Sequence, residues 1–460
     1  MSKHDTLIST EFSKEINDFF LNYYTINQWE DICSSLSIPP CMTYIRINSR
    51  DENDIDKIYN ILQEIINEQC RNKGWDEIKI IKHEILSDVL CIPIYGPFND
   101  IIPYDKEIIV DKYAGTSILR GADIFAPGVL ASRPVEAGEN VAVMVDIDGN
   151  CHRGYLKNFT GKKLFIGNGK MLMSRHEIFS SNPSELSGIG VLMTQPLYRT
   201  PSISTSLSSH LSPLIFLQNK PSILVGHLLN PQPEDIILDM CASPGGKTTH
   251  IASLLQRNSR IDKFIDGIVI ATDRSKQKID KINQNAVKCG VKHLVKSFIL
   301  DATKAILSNN DVINFKDLKC GDQIKGFPKE SFDRILLDPP CSNLGQRPNF
   351  SVNAKLSDIT ITIPDYQRKL FTSAYKLLKP NGILVYSTCT FNPAENEQII
   401  SWALKNFPDL SLIEPEIKLG DPGLKDAGLN ESQRFMVQRF DPGIKSGYDT
   451  IGFFIAKLKK

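Results

Sequence analysis

The sequence predicts an α/β protein whose second half forms a mostly parallel sheet with helices on both faces. After about residue 205, short apolar runs alternate with amphipathic helical segments, which is typical of parallel strands joined by helices. The chain has 460 residues, and this length favours two or three domains over a single core. Its 41% hydrophobic and 23% charged content is that of a globular protein.

The first 111 residues mix helical and strand patterns, so we predict an α+β region that packs on the C-terminal domain. Apolar side chains recur at helical spacing over residues 12–24 and 51–70, and residues 42–48 have the pattern of a strand. This region carries 20 acidic and 10 basic side chains. Because the whole chain has no formal net charge, the rest must be basic, which permits a nucleic-acid partner there.

Residues 112–204 contain short β-type runs separated by turn signals. The signals are Ala-Pro-Gly, Asp-Gly-Asn and Gly-Asn-Gly, and their close spacing predicts a small β-barrel. This stretch is mildly basic, with 10 basic and 7 acidic side chains.

Residues 205–460 contain five apolar runs that we predict as strands of the sheet. They are residues 235–240, 267–273, 297–301, 332–338 and 382–388. Helical patterns separate them, including residues 247–256 and 366–380. The closing stretch DTIGFFIAKLKK predicts an antiparallel strand at the edge of this sheet.

A glycine-rich turn follows the first of these strands, in LDMCASPGGKTTHIA at residues 238–252. A nucleotide-triphosphate loop would need glycine five residues before its Gly-Lys pair, but Cys241 stands there and Pro244 stiffens the turn. We therefore expect Gly245 and Gly246 to let a ligand approach the backbone, next to a helix start that favours a negative group. An ordinary tight turn is the alternative.

Acidic residues end the next two strands. Asp273 can accept hydrogen bonds from both hydroxyls of a ribose, and Asp301 would fall near an adenine amino group. A carboxylate at a strand end is also a common helix cap. With the glycine turn, the two positions favour an adenosine-containing ligand with a free carboxylate, and S-adenosylmethionine has both parts.

Two cysteines, Cys341 in LDPPC and Cys389 in YSTC, follow the fourth and fifth strands. Adenine-amino methyltransferases commonly carry an aromatic residue in the place of Cys341, so a different chemistry is expected. A thiolate that adds to carbon 6 of cytosine makes carbon 5 nucleophilic enough to take a methyl group, and a second thiol can serve the elimination. Asp338 is placed to meet the charge that develops on ring nitrogen 3. Buried structural cysteines are the alternative for either position.

The glycine-rich turn and the strand ends resemble the NOL/NOP/Sun (NSUN) family of RNA cytosine-5 methyltransferases. The matching stretches include LLDPPCSNLGQRPN, LVYSTCTFNPAENE and IGFFIAK. The resemblance covers about residues 205–460 and implies a Rossmann-like, S-adenosylmethionine-dependent methyltransferase domain. Residues 112–204 resemble a PUA domain, a small barrel that binds RNA. Its position ahead of the catalytic domain is similar to the branch of the family that methylates a cytosine near the 3′ acceptor end of tRNA.

The resemblance also implies roles for individual residues. It makes Cys389 the nucleophile and Cys341 the thiol that helps product release, whereas the reversed order, as in DNA cytosine methyltransferases, is the rival. Asn343 stands where glycine is common, and we expect it to alter the loop over the target base. Methyl-donor contacts are implied for residues of the turn and the strand ends, namely Cys241, Ala242, Ser243, Pro244, Gly245, Gly246, Lys247, Asp273, Lys278, Asp301 and Asp338.

Contacts with RNA are predicted for the PUA-like segment. Arg120, Lys162, Lys163 and Arg175 are the candidates for phosphate contacts, which hold RNA without reading its sequence. Phe125 could pack under a base or fill the barrel, and we favour the second.

We therefore predict a tRNA cytosine-5 methyltransferase that uses S-adenosylmethionine and neither a metal nor a membrane partner. The N-terminal stretch MSKHDTLISTEFSKEI has no apolar core for a signal peptide, and no segment approaches ~20 apolar residues, so we expect the cytoplasm. The oligomeric state is open, with a monomer expected. The alternatives are a methyltransferase of ribosomal or messenger RNA, a non-catalytic RNA-binding protein and an ATP-driven enzyme.

Overall fold

The computed structural model of the chain describes residues 9–49, 54–180, 186–203, 211–258, 266–307, 315, 318–350, 352–443 and 449–460. Within these ranges the strands form three sheets. No helix there combines the length and the apolar character that crossing a bilayer requires.

The helices and strands of the described ranges are numbered here in chain order. The α-helices are α1 (Lys14–Phe20), α2 (Ile26–Leu36), α3 (Asp54–Lys73), α4 (Lys112–Leu119), α5 (Arg175–Ser180), α6 (Lys220–Leu229), α7 (Gly246–Asn258), α8 (Lys276–Lys288), α9 (Ile363–Leu377), α10 (Glu397–Asn406) and α11 (Glu431–Arg434). The strands are β1 (Met42–Ile47), β2 (Ile81–Lys82), β3 (Val89–Pro93), β4 (Glu107–Val110), β5 (Ile124–Phe125), β6 (Val129–Ser132), β7 (Asn140–Asp146), β8 (Lys163–Met171), β9 (Ile189–Pro196), β10 (Ile215–Leu217), β11 (Ile236–Asp239), β12 (Ile268–Asp273), β13 (Val295–Ile299), β14 (Phe332–Leu337), β15 (Leu378–Thr388), β16 (Ser411–Leu412), β17 (Val437–Phe440) and β18 (Phe453–Lys459).

The largest sheet lies in the C-terminal half and has the strand order β13-β12-β11-β14-β15-β18-β16, with β17 also paired to β18. Strands β11 to β15 pair in parallel, and they are the five predicted strands with small shifts of their ends. The prediction of an α/β fold with a mostly parallel sheet is therefore confirmed.

Strand β18 pairs with β15 in the predicted antiparallel orientation, but the prediction that it lies at the edge of the sheet is wrong. Strands β16 and β17 pair with its other side. These two strands are short, so neither carries enough of a period-two pattern to be recognised in the sequence.

Helices cover both faces of the large sheet. Helices α6, α7 and α8 pack Ile223, Ile251 and Ile279 on one face. Helices α9 and α10 pack Leu370 and Ile399 on the other. Because both faces are covered, the parallel strands are mostly apolar, and the polar side chains that follow them gather at their carboxyl ends.

A six-stranded sheet with the order β5-β9-β8-β7-β4-β6 has an apolar core of its own. Strands β4 and β7 pair in parallel, whereas the other neighbours pair antiparallel. The sheet begins at Glu107, ahead of the predicted boundary at residue 112, because β4 is an inner strand between β6 and β7. Phe350 from the C-terminal half packs into this core and joins the two regions.

The N-terminal sheet is antiparallel and has the order β10-β1-β3-β2. Helix α3 covers it with Ile58, Leu62 and Ile66. Strand β10 lies beyond residue 205, where the sequence placed the start of the C-terminal domain. The chain thus returns to its first sheet before it enters the large one, and a cut at 205 would divide the N-terminal sheet.

A buried arginine of the N-terminal sheet holds the start of α7. Arg46 donates hydrogen bonds to the Gly246 carbonyl oxygen at 2.7 Å and to Thr249 Oγ1 at 3.0 Å. Its guanidinium also lies 4.8 Å from the centroid of the Phe216 ring. The N-terminal region therefore fixes the position of the glycine-rich turn.

A buried carboxylate makes a second link between the same two regions. Asp88 accepts hydrogen bonds from His227 Nε2 at 2.8 Å and from His250 Nε2 at 3.0 Å. Among the described residues these three also form a group whose side chains could hold a metal ion. Burial raises the pKa of Asp88, but the two imidazole hydrogen bonds outweigh burial and lower its pKa far below the usual value.

The stability of the fold should depend on the charge state of His250. Burial lowers its pKa to about 3, so the folded protein keeps it neutral, whereas the unfolded chain protonates it below about pH 6.5. Stability should therefore fall as the pH drops from 6.5 towards 3. Between pH 7.5 and 5.5 this residue should account for a loss of about 1 kcal/mol in the free energy of unfolding.

The variant His250→Gln tests this assignment because glutamine can still donate to Asp88 but does not titrate. Urea unfolding of both proteins at pH 7.5 and 5.5 should show a smaller acid-induced loss in the variant. An equal loss in the two proteins would assign the acid sensitivity to other groups.

Candidate active site

Loops that follow the parallel strands enclose a cavity of about 390 Å³. Six residues predicted to contact a methyl donor line it: Cys241, Ser243, Pro244, Asp273, Lys278 and Asp338. Both thiols singled out in the sequence, Cys341 and Cys389, line the same cavity. Residues from four separate strand ends thus meet in one place.

The glycine-rich turn after β11 leaves little room for a side chain at either of its two glycines. Gly245 has a φ of +103°, in the left-handed region that favours glycine, and an added Cβ would lie 3.1 Å from the Ile282 Cα. Gly246 begins α7, and an added Cβ would lie 3.3 Å from the Phe216 ring. Gly245 shapes the turn by its conformation instead of lining the cavity.

A second cavity of about 230 Å³ adjoins the first. Ala242, Gly246 and Lys247 line it, together with Phe216 and Gln218 from β10 and the residue after it. The sequence did not predict this contribution, because nothing in the local pattern of residues 215–217 shows that they pair with β1. The N-terminal sheet is therefore part of the candidate site.

Asp273 is held at the end of β12 by three donors. Its Oδ2 accepts from the Ser243 backbone N–H at 3.1 Å, and its Oδ1 accepts from the Arg274 backbone N–H at 2.7 Å. Lys278 Nζ lies 3.0 Å from the same Oδ1. The carboxylate therefore links the glycine-rich turn to β12 and α8.

Asp301 caps a short 3-10 turn, Ala302–Lys304, next to the cavity. Its Oδ1 accepts from the Thr303 backbone N–H at 3.1 Å and from Thr303 Oγ1 at 2.7 Å. Burial opposes the charged form, but these hydrogen bonds outweigh burial and lower the pKa of Asp301. The neighbours Leu300 and Ala302 line the cavity, so Asp301 lies at the border of the cavity. Its carboxylate caps the 3-10 turn there.

Two further residues of the cavity wall were missed in the sequence. The Arg274 guanidinium lies 4.7 Å from the centroid of the Tyr366 ring, and both side chains line the cavity. Arg274 follows Asp273 directly, whereas Tyr366 comes from α9. The sequence carries no local signal for this contact, because the two residues are joined only by the packing of α9 on the sheet.

The two thiols are in direct contact. Cys341 Sγ and Cys389 Sγ are 3.4 Å apart, and both side chains are partly exposed to the cavity. A hydrogen bond from the Cys341 thiol lowers the pKa of Cys389, and the same contact together with burial raises the pKa of Cys341. Cys389 is therefore the thiol that more readily becomes a thiolate, while Cys341 keeps its proton.

Asp338 accepts two hydrogen bonds beside the thiols. Lys247 Nζ donates to its Oδ2 at 2.7 Å, and Ser387 Oγ donates to its Oδ1 at 2.6 Å. Burial opposes the charge on Lys247, but the contact with Asp338 outweighs burial and raises the pKa of the lysine. The Lys247–Asp338 pair therefore offers both a donor and an acceptor to a ligand in the cavity.

Comparison with known proteins identifies the family of the chain. The family model for 16S rRNA methyltransferase RsmB/F matches residues 226–459, which is about half of the sequence. The chain belongs to the RsmB/F (NOL1/NOP2/Sun) family of methyltransferases. The resemblance to the NOL/NOP/Sun family is thus confirmed.

Several relatives of this RsmB/F-family chain match it over nearly its whole length. It is 41% identical over 458 residues to the tRNA (cytosine(72)-C(5))-methyltransferase NSUN6 of Mus musculus, covering 94% of this chain and 90% of the relative. The crystal structure of NSun6 from Pyrococcus horikoshii with SFG has a TM-score of 0.74 and 31% identity, and the match covers 98% of both chains. The fold is therefore that of a Rossmann-like methyltransferase that uses S-adenosylmethionine.

The geometry of the RsmB/F-family site fits this cofactor. Asp273 is a carboxylate at the end of the second strand of the nucleotide-binding half, where ribose hydroxyls are bound in such folds. In the adjoining cavity, Asp239 Oδ1 is buried without a hydrogen-bond partner among the described residues, so it can accept from a donor group of a ligand. When bound, S-adenosylmethionine supplies an electrophilic methyl group.

A buried glutamate fixes the two thiol loops relative to each other. Glu395 Oε2 accepts from the Ser342 backbone N–H at 2.9 Å and from Gln367 Nε2 at 3.1 Å. Its Oε1 accepts from Asn392 Nδ2 at 2.8 Å. Burial raises the pKa of Glu395. The sequence-based prediction missed Glu395, although it lies in NPAENE, a run with several polar residues that closely follows a buried strand and a candidate catalytic thiol.

The predicted RNA contacts of the six-stranded region are mostly engaged within the protein. Arg120 donates to the Arg347 carbonyl oxygen. Lys162 forms an ion pair with Glu11 at 2.8 Å, and Lys163 pairs with Glu107. Contact with RNA stays a prediction for these three side chains.

Arg175 and Phe125 differ in their surroundings. Arg175 donates to Ser132 Oγ at 3.2 Å and lies 4.6 Å from the centroid of the Phe179 ring, so it braces the six-stranded region. The Phe125 side chain is 56% exposed, and the expectation that it fills the core of this region is wrong. It ends the two-residue strand β5 and directly precedes the 3-10 turn Ala126–Gly128.

We expect Asp273→Ala to weaken binding of the methyl donor strongly. The variant removes an acceptor from the cavity and also releases the Ser243 backbone and Lys278. Calorimetric titration with S-adenosylhomocysteine should show a dissociation constant raised by about 10- to 100-fold, the range for a hydrogen bond to a charged group.

The matched control is Asp280→Ala on the exposed side of α8, which should leave the dissociation constant unchanged. If the two variants bind equally well, Asp273 is not a donor contact.

Proposed function

We propose that this methyltransferase modifies carbon 5 of the cytosine at position 72 of tRNA, next to the 3′ acceptor end. Three relatives that match most of the chain are named tRNA (cytosine(72)-C(5))-methyltransferases, from Mus musculus, Homo sapiens and Pyrococcus horikoshii. The observation that carries the chemistry is the pair of thiols 3.4 Å apart in the wall of the methyl-donor cavity.

Cys389 acts as the nucleophile in this proposal. Its thiolate adds to carbon 6 of the cytosine, and the displaced ring electrons make carbon 5 able to attack the methyl group. Nitrogen 3 gains electron density in this step. Asp338 lines the cavity beside the thiols, and the Lys247 ammonium paired with it lies in the adjoining cavity, from which it can donate a hydrogen bond to that nitrogen.

Cys341 acts in product release. Transfer of the carbon-5 proton to solvent leaves its bonding electron pair in the ring, where it forms the double bond between carbons 5 and 6. The bond from carbon 6 to the Cys389 sulfur breaks in the same step, and the sulfur leaves as a thiolate. The Cys341 and Cys389 sulfurs are within hydrogen-bond distance in the resting protein, and a proton donated by the Cys341 thiol across this contact stabilises the departing thiolate.

The six-stranded region is proposed as a PUA-like RNA-binding unit that grips the end of the tRNA. Cytosine 72 is paired in the acceptor stem, so it must be unstacked and flipped at a cost of a few kcal/mol. Binding of the adjacent single-stranded end can supply this free energy. The exposed Phe125 ring supports the proposal, because an aromatic face can stack on an unpaired base.

Ribosomal RNA is the second candidate substrate. The rRNA (cytosine-C(5))-methyltransferase NOP2C of Arabidopsis thaliana is 30% identical over 563 residues, covering 97% of this chain and 90% of the relative. The higher identity to the tRNA enzymes favours tRNA. We further propose that the protein acts as a monomer in the cytoplasm, where a reducing environment keeps both thiols free.

The substrate and the order of the two thiols can be tested together. Purified protein, labelled S-adenosylmethionine and total RNA should yield label at cytosine 72 of tRNA when modified cytosines are mapped. Cys389→Ala should abolish turnover, because no nucleophile remains. Cys341→Ala should accumulate a covalent protein–RNA adduct that survives denaturing electrophoresis, because addition proceeds but release is slow.

Cys320→Ala serves as the control, because it makes the same substitution at an exposed cysteine that does not line the cavity. Label found only on ribosomal or messenger RNA would show that this RNA, and not tRNA, is the substrate. An adduct that appears with Cys389→Ala instead would reverse the order of the thiols.

The proposed base-stacking contact has its own test. Phe125→Ala should weaken binding of tRNA by roughly tenfold or more in a filter-binding assay, because stacking of one base contributes about 1–3 kcal/mol. Ile81→Ala changes an exposed apolar side chain of the N-terminal sheet and should bind tRNA normally. Equal affinity of the two variants would remove Phe125 from the RNA interface.

A further inference from the structure

One residue of the cavity wall, Asn343, contacts both thiols and has not been used in the proposed reaction. Its Oδ1 lies 2.9 Å from Cys389 Sγ and 3.5 Å from Cys341 Sγ. Asn343 has a φ of +56°, in the left-handed region where asparagine is tolerated and glycine is favoured. A change to glycine therefore removes the amide without straining the backbone.

The Asn343 amide oxygen and the Cys341 thiol have opposite effects on the protonation of Cys389: the amide oxygen favours the thiol, and Cys341 favours the thiolate. A carbonyl oxygen only accepts, so its contact with Cys389 requires that this thiol keep its proton. The contact between the two sulfurs favours the Cys389 thiolate when the Cys341 thiol is its donor, and this contact lowers the pKa of Cys389. Removing the amide leaves the contact that favours the thiolate.

The amide also stands where the substrate must be. A base that bonds to Cys389 through carbon 6 has to lie against that sulfur, and Asn343 lines the same part of the cavity within 2.9 Å of it. The base and the amide therefore compete for one position. Entry of the base displaces the acceptor that keeps the thiol protonated.

We propose that Asn343 is a positioning residue that holds Cys389 as a protonated, weakly reactive thiol until an incoming base displaces its amide. This inference deepens the proposed function and rests on it, because it takes Cys389 as the nucleophile. It makes the reactivity of the thiol depend on occupancy of the cavity. Free enzyme is thereby protected from alkylation and oxidation.

The test measures alkylation of Cys389 by iodoacetamide in the free, full-length enzyme, followed by peptide mass spectrometry as a function of pH. Asn343→Gly should move the pH midpoint of alkylation down and speed the reaction at pH 7 by about threefold to tenfold, the effect of one hydrogen bond. Asn343→Asp should slow it, because a carboxylate accepts more strongly. The titratable groups that face the thiols, Asp338, Lys247 and Glu395, stay in place in both variants.

The control is Asn381→Gly, which makes the same change at another left-handed asparagine with a φ of +64°. It should leave the Cys389 profile unchanged, and alkylation of the exposed Cys320 provides an internal standard in every sample. A Cys389 midpoint that is the same in wild type, Asn343→Gly and Asn343→Asp overturns the proposal.

The result can be separated from failure of the proposed function, because alkylation requires neither RNA nor methyl transfer. If the pH midpoint of Cys389 alkylation shifts as expected but no RNA is methylated, the role of Asn343 is supported and the proposed RNA methylation is contradicted. In an active enzyme, the acid limb of kcat/KM for tRNA should move to lower pH in Asn343→Gly. A purely structural role of Asn343 would lower activity at every pH alike.

Discussion

The parallel pairing of β14 with β15 is the constraint on which the site depends. Its register sets Leu337 opposite Tyr386, so the next residues of the two strands, Asp338 and Ser387, emerge side by side. Their side chains are hydrogen-bonded at 2.6 Å. The loops that continue from this point bring Cys341 and Cys389 into contact, although 48 positions separate them in the chain. A shift of the register by one residue would point one of the two polar side chains into the opposite face of the sheet.

The site can bury many polar and charged side chains because, among the described residues, nearly every one of them has a hydrogen-bond partner. Glu395 is buried among donors from both thiol loops, and Lys247 is buried against Asp338. Removal of one partner would leave a charge in a low-dielectric interior, which costs more than the contact itself contributes. The arrangement therefore fixes the thiol loops in one geometry. In this fixed geometry, the protonation of Cys389 depends on two opposing contacts, one with Asn343 and one with Cys341.

The sequence was sufficient for features that leave a local pattern. The parallel strands, the glycine-rich turn, Asp273 and the two thiols could be predicted, because apolar runs and strand-end residues are local signals. The position of β18 inside the sheet, the pairing of β10 with β1 and the exposure of Phe125 could not. Each depends on partners distant in the chain, and short strands of two to four residues carry little periodicity. Asp88, His227 and His250 likewise come from three segments with no recognisable spacing.

The acidic N-terminal region is best understood as part of the catalytic unit. An acidic surface is poorly suited to RNA, yet this region supplies Arg46, which is fully buried and bonded to the first turn of α7. Strand β10, which completes the N-terminal sheet, supplies Phe216, and this side chain lines the second cavity next to Gly246. The position of the glycine-rich turn thus depends on a sheet that is assembled from both sides of the six-stranded region. Because β10 completes that sheet only after the chain has passed through the six-stranded region, the sheet that positions the methyl-donor site is also the one to which both ends of the proposed RNA-binding region connect.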